Sequence, residues 1–199
     1  MKGGTANISG KISSQYLSAL LMAGPLTKEG VTLNIIDELM SAPYVHMTMN
    51  LISKYGGEVN SKNDMEFTVK PGKYTSPGNM FIEGDASSAS YFLAGAAITG
   101  GTVTVYGCGK DSIQGDARFA QVLEKMGADV RYTDSSITVT RDLSKPLKGV
   151  DEDCGDIPDV AMTLAVVGMF AEGQTKIRNV YNWRVKETER MVLHTYSCI

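Results

Sequence analysis

No apolar run in this 199-residue chain approaches the ~20 residues that a membrane-spanning helix needs. The longest, Val160 to Ala171, is bounded by Asp159 and Glu172, so no membrane partner is expected. The opening MKGGTANISG lacks both the apolar stretch of a secretory signal and the Arg-rich pattern of a transit peptide. Cys108, Cys154 and Cys198 are odd in number and far apart, which excludes a disulfide framework and a CxxC metal or redox motif. A reducing compartment, the cytoplasm, is the expected location. A large excess of either charge is also lacking, with 19 Lys and Arg against 22 Asp and Glu. A net charge of −3 argues against a nucleic-acid partner held by general electrostatics. His46 and His194 have no neighbour at metal-ligand spacing. The Gly-rich ITGGTVT has no P-loop lysine and reads as a helix stop.

What is abundant is glycine, 21 residues, against an average near ~7%. The glycines recur at similar places in three segments: SGKISSQYLSALLMAGPLTKEGVTLNII, EGDASSASYFLAGAAITGGTVTVYGC and CGDIPDVAMTLAVVGMFAEGQTKIRNV. Superposing Gly10, Gly84 and Gly155 aligns Ser13, Ser87 and Pro158, then Ser14, Ser88 and Asp159, then Leu17, Tyr91 and Met162. A repeat of about seventy residues sets the architecture before any single motif does. Each unit reads as strand, helix, strand, helix and two strands. The first runs ANISG, SSQYLSALLMAG, VTLNII, APYVHMTMNLISKYGG, EVNS and MEFTVK; the second begins with a strand in NMFIEGD. Such βαβαββ units predict an α/β fold with parallel crossovers. The first helix of each unit is apolar nearly all round and is expected to be buried. The third unit has its first helix, the strand TKIRNV and a second helix starting at Val185, then lacks its strand pair. We expect a fragment of a longer protein.

Three constellations can carry chemistry. Ser13 and Ser14 open a helix in ISSQY; they are either ordinary caps or, with the helix dipole, an anion site. Asp159, in GDIPDVAMTL, sits in the first turn of a very apolar helix. It is either a partly buried carboxylate that needs a partner, or a complement to the dipole with Asp156 as cap. In NWRVKETERM, helical spacing puts Lys186, Glu187 and Arg190 on one face. Five basic residues against two acidic ones lie between Lys176 and Arg190. A solvated face of i to i+4 pairs explains this; so do a Lys and an Arg converging on an anion, with Glu187 poised to move a proton.

Together, GKISSQYLSALLMAGPL, EGDASSASYFLAGAA, IQGDARFAQVLEKMGA, IPDVAMTLAV and NWRVKETERM closely resemble the 5-enolpyruvylshikimate-3-phosphate synthase family of bacteria and plants, from about Gly4 to Val192. The resemblance implies the enolpyruvyl transferase fold, an inside-out α/β barrel of repeated βαβαββ units, here incomplete at both ends. Residues 1–83 would be the last unit of a first domain, and 84–199 the first one and a half units of a second. It implies enolpyruvyl transfer from phosphoenolpyruvate to shikimate 3-phosphate in aromatic amino acid biosynthesis, with no cofactor and no metal. The parent would be a monomer in the cytoplasm, or in a plastid if the source is a plant or alga.

By the same resemblance Ser13, Ser14 and Gln15 hold shikimate 3-phosphate, with Ser41 on its phosphate and Tyr44 beside it. Asp159 acts at the attacking hydroxyl, Asn182 and Lys186 add contacts, Glu187 protonates the methylene carbon, and Arg190 clamps phosphoenolpyruvate. Ala42 and His46 depart from the family pattern, as does the tail VLHTYSCI. The family's further cations lie outside these residues, so the chain by itself is expected to be inactive. A UDP-N-acetylglucosamine enolpyruvyl transferase and a non-catalytic anion-binding module are the alternatives.

Overall fold

The computed structural model describes residues 1–184, 186 and 188–192, and the chain divides into two compact units, Met1–Phe81 and Ile82–Ile199. In the first unit, strand β1 (Gly4–Ile8) leads to helix α1 (Ser14–Ala23), capped by Ser13 in extended backbone with its Oγ accepting from the Gln15 amide. The helix stops at a 3₁₀ turn, Gly24–Leu26. A Cβ on Gly24 would come within 2.9 Å of the Val31 and Val69 side chains, so glycine lets the turn press on the sheet. Strand β2 (Val31–Ile35) then pairs in parallel with β1, as a βαβ crossover requires.

Helix α2 (Ala42–Lys54) follows, and then strands β3 (Val59–Lys62) and β4 (Glu66–Val69). Asn63 and Asp64 both have positive φ at the β3–β4 turn, a conformation these residue types tolerate. The sheet order β1-β2-β4-β3, with β4 antiparallel to both neighbours, is a complete βαβαββ unit. Its core is Leu17, Leu21, Leu33, Ile35, Val45, Ile52, Phe67 and Val69.

The second unit departs from the predicted plan at its start. Residues 79–85 form no strand, and Phe81 and Ile82 are exposed. The backbone bond from Gly84 N to Gly107 O, 2.9 Å, is the link that the turn glycines allow. Helix α3 (Ala86–Thr99), strand β5 (Gly101–Tyr106), a 3₁₀ turn at Gly115–Arg118, helix α4 (Phe119–Lys125), and strands β6 (Asp129–Tyr132) and β7 (Ser136–Arg141) follow. With no strand before α3, the sheet β5-β7-β6 is antiparallel throughout. A parallel pair returns with β8 (Asp151–Asp153), helix α5 (Pro158–Gly168) and β9 (Lys176–Arg178), so the TKIRNV strand is shorter than predicted. A 3₁₀ turn, Tyr181–Arg184, comes next. Val185 and Glu187 lie outside the described residues, as do His194 and Cys198; Lys186 and Thr188 sit in bends, and helical backbone is described from Arg190 to Val192.

The core of this unit joins α3, α4, α5 and β7 through Leu93, Phe119, Leu123, Ile137, Val139, Val160 and Leu164. Small residues let α3 and α5 approach until Ser90 Oγ and Thr163 Oγ1 are 3.0 Å apart. The first helices are not buried all round as their composition predicts. Tyr16, Leu20 and Met22 on α1, Tyr91 and Phe92 on α3, and Val166 on α5 are exposed, because among the described residues each helix is covered on one side. No helix among the described residues is long and apolar enough to cross a membrane. The Cys108 and Cys154 thiols are free and buried, and burial pushes Cys154 up to about 12.

Candidate functional site

The repeat places its helices differently from the glycine superposition. The cap positions are Ser13, Asp85 and Ile157, so the second residues of the three helices are Gln15, Ser87 and Asp159. Ser87 and Ser88 are therefore not caps like Ser13. They lie beneath the Asp85 carboxylate, which accepts from the Ser87 amide at 3.0 Å and the Ser88 hydroxyl at 2.6 Å. Chiefly the Ser88 hydroxyl holds Asp85 below the usual aspartate range. Ser87 Oγ donates to buried Asp116. Carboxylates of the protein itself thus occupy the positive end of α3. At α1 the cap is a neutral hydroxyl.

In the first unit, α1 and α2 both begin beyond the carboxyl ends of the parallel strands β1 and β2. That edge is where open α/β sheets bind ligands. It brings Ser13, buried Ser14 and exposed Gln15 to the same rim as buried Ser41, in left-handed backbone at the α2 cap, and Tyr44 one turn on. The helices touch through Thr48 Oγ1 and Ser18 Oγ at 3.1 Å.

Sequence reasoning missed the residue that joins the two loops. Asp37 accepts from Ser9 Oγ at 2.6 Å and from the Gly10 amide at 2.7 Å, while the Met40 amide donates to Gly10 O at 3.1 Å. The Ser9 hydroxyl is the main cause holding the Asp37 carboxyl below its ordinary value. A lowered folded-state pKa stabilises above the ordinary aspartate range and stops doing so as pH falls through the lowered value. Followed by NMR, the Gly10 amide shift is expected to titrate with a midpoint below that of an aspartate in an unstructured peptide. An unshifted midpoint would show that the clamp does not form.

In the second unit the sequence-predicted charges meet. Asp159 Oδ1 lies 3.0 Å from Arg190 Nη1 and 3.7 Å from Lys186 Nζ. The carboxylate is in the first turn of α5, where the helix end adds partial positive charge. Trp183 Nε1 donates to Pro158 O at 2.8 Å and pins the 3₁₀ turn that carries buried Asn182 to this end of α5. Asp156 is not the cap: Ile157 holds that position with no side-chain bond, and Asp156 pairs with Arg118 at 3.1 Å. Glu187, the predicted proton donor, lies outside the described residues. The predicted helical face is replaced by a bend at Lys186, yet the two cations still converge. His46 Nε2 lies 2.8 Å from Asp64 Oδ1, and no cluster among the described residues could hold a metal ion.

Residues 1–197 match the family model for EPSP synthase (3-phosphoshikimate 1-carboxyvinyltransferase). The chain is 58% identical over 199 residues to the chloroplastic 3-phosphoshikimate 1-carboxyvinyltransferase of Solanum lycopersicum, covering 96% of this chain and 38% of that protein. It is 54% identical over 190 residues to the enzyme of that name from Proteus mirabilis, covering 95% and 44%. The chain thus spans about two fifths of the length of these relatives. Among solved structures, EPSP synthase from Acinetobacter baumannii superposes with a TM-score of 0.76 at 22% identity, over 98% of this chain and 44% of that one. The enolpyruvyl transferase NikO from Streptomyces tendae gives 0.65 at 19%, over 88% and 44%. These two superpositions bear on the fold, which is that of enolpyruvyl transferases.

Proposed function

Because the chain belongs to the EPSP synthase family, we propose that it is the part of such an enzyme that carries shikimate 3-phosphate contacts in one unit and acid, base and cation groups in the other. The reaction is transfer of the enolpyruvyl group of phosphoenolpyruvate to the 5-hydroxyl of shikimate 3-phosphate, with release of phosphate. Residues 1–83 are the last unit of a first domain and 84–199 the opening of a second. The compartment is the cytoplasm, or a plastid where the source is a plant or alga, and the complete enzyme is a monomer.

The observation that carries the reading is the meeting of Asp159, Lys186 and Arg190 at the start of α5. Addition of a hydroxyl across the enol phosphate double bond of phosphoenolpyruvate, followed by loss of phosphate, needs a base on the hydroxyl, an acid on the methylene carbon and cations against the anionic substrates. Asp159 is the group at the hydroxyl, Glu187 the acid, and Arg190 the clamp on phosphoenolpyruvate. Lys186 and Asn182 contact the shikimate moiety. Ser13, Ser14 and Gln15 hold it from α1, Ser41 receives its phosphate, and Tyr44 lies alongside.

A chimera tests this. The matching segment of the Solanum lycopersicum relative is replaced by this chain. The chimera is expected to release phosphate from phosphoenolpyruvate only when shikimate 3-phosphate is present, and the 199-residue chain alone to release none. A folded chimera that works with UDP-N-acetylglucosamine instead, or with neither acceptor, would sink the reading.

A further inference from the structure

One carboxylate ties together the two loops at the carboxyl edge of the first unit. We propose that Asp37 is a positioning residue for the acceptor substrate: it locks the loop that ends in Ser13 to the loop that ends in Ser41. Ser13, Ser14 and Gln15 on one side, and Ser41 and Tyr44 on the other, then meet shikimate 3-phosphate as a single preformed surface. The inference rests on the reading above that these residues contact that substrate.

The parallel pairing of β1 with β2 ends at Ile8 and Ile35, where the Ile36 amide donates to Ile8 O at 3.1 Å. Beyond that bond the two chains leave for separate helices, α1 and α2, with no ladder left to join them. Asp37 takes over at this point. Its Oδ2 accepts from the Ser9 hydroxyl at 2.6 Å and its Oδ1 from the Gly10 amide at 2.7 Å, so each oxygen holds one group of the first loop. The Met40 amide donates to Gly10 O at 3.1 Å and ties the loops a second time. A Cβ on Gly10 would come within 2.6 Å of Glu38 O and 2.8 Å of Leu39 Cα, so the loops lie against each other with no room for a side chain.

The tie reaches close to the assigned contacts. Gly10 stands three residues before Ser13, and Met40 directly precedes Ser41. Ser41 has φ 58° and ψ 42°, left-handed backbone that a residue with a side chain keeps only where its surroundings hold it. The Met40 bond fixes the chain as it enters that residue. Groups from two loops that must close on one substrate bind it more tightly when they are held in place beforehand.

The same span is bridged by other residues in the other two units. Glu83, ahead of α3, accepts from the Ser112 hydroxyl, from the Ile113 amide at 3.2 Å and from Gln114 Nε2 at 3.0 Å, all of which follow β5. Asp153, ahead of α5, accepts from Asn179 Nδ2 at 2.6 Å, just after β9. A carboxylate between the first and second loops thus belongs to the plan of the repeat, and only in the first unit does the second loop supply it.

Asp37→Ala, Asp37→Asn and Ser9→Ala, compared in the chimera with the Solanum lycopersicum relative, test this. Asn is the conservative change, because its Oδ1 can still accept from the Gly10 amide while its Nδ2 donates to Ser9 Oγ. Asp37→Ala is expected to weaken calorimetric affinity for shikimate 3-phosphate and raise its KM about tenfold, while kcat and the KM for phosphoenolpyruvate stay within about twofold. Asp37→Asn is expected to recover most of that loss. Ser9→Ala, which removes one bond of the tie, is expected to cost about threefold in acceptor affinity alone and little more on top of Asp37→Ala.

Unchanged acceptor affinity in Asp37→Ala, or equal losses toward both substrates, would overturn the proposal. So would an Asp37→Asn chimera as weak as Asp37→Ala, since the charge and not the tie would then be what matters. Should Asp37→Ala not fold, Ser9→Ala decides alone, and acceptor affinity equal to that of the unsubstituted chimera sinks the idea. An unsubstituted chimera with no affinity for shikimate 3-phosphate would remove the acceptor assignment and this inference with it, whereas one that binds normally and is indifferent to Asp37 removes the inference only.

Discussion

Glu187→Gln in the chimera with the Solanum lycopersicum relative is expected to lower the steady-state rate of phosphate release by roughly 10²–10⁴-fold, the usual worth of a positioned general acid. The methylene carbon of phosphoenolpyruvate must take up a proton as the hydroxyl adds, and a Gln cannot supply one. Gln keeps the size and hydrogen-bonding capacity of the side chain, so calorimetric affinity for shikimate 3-phosphate is expected to change little. That split separates the role from a structural one. If Glu187 only balanced Arg184, Lys186 and Arg190 on a solvated face, the substitution would leave turnover nearly unchanged, as exposed pairs contribute about 0–1 kcal/mol. Loss of binding together with rate would instead mark a group that holds substrate in the ground state.

The sequence was most legible where local chemistry decides the structure. Ser13 announces the start of α1, Gly24 and Pro25 its end, and the alternation in VTLNII and MEFTVK the strands β2 and β4. It was least legible where equivalent positions use different chemistry. Gly10, Gly84 and Gly155 look alike, but the caps that follow are Ser13, Asp85 and Ile157 at three different distances, so the superposed serines fell out of register. The convergence of Lys186 and Arg190 on Asp159 was half visible. The local excess of cations suggested an anion, and the anion found in the structure is a carboxylate from α5. Asp37 gave no signal at all, because its bonds reach Ser9 and Gly10, 28 and 27 residues away, and no periodicity marks them.

The all-round apolar composition of α3 and α5 carried a different ambiguity, which a pair of substitutions resolves. Phe119→Ala is expected to destabilise the second unit by roughly 3–5 kcal/mol. Phe119 is 2% exposed in the core shared by α3, α4, α5 and β7, and truncation there leaves a void that neighbours close only in part. Against a total stability of about 5–15 kcal/mol that loss approaches unfolding, read as a fall in the urea midpoint of more than ~1 M. Tyr91→Ala, which also deletes an aromatic ring, is expected to change stability by no more than ~0.5 kcal/mol, read from the same urea midpoint. Tyr91 is 63% exposed on the uncovered side of α3, although the sequence pattern put it in the interior with Leu93. A large loss at Tyr91 in the 199-residue chain would mean that this side of α3 is covered after all. In the chimera, where the relative's remaining three fifths are present, a loss confined to that setting would identify the rest of the enzyme as what covers it.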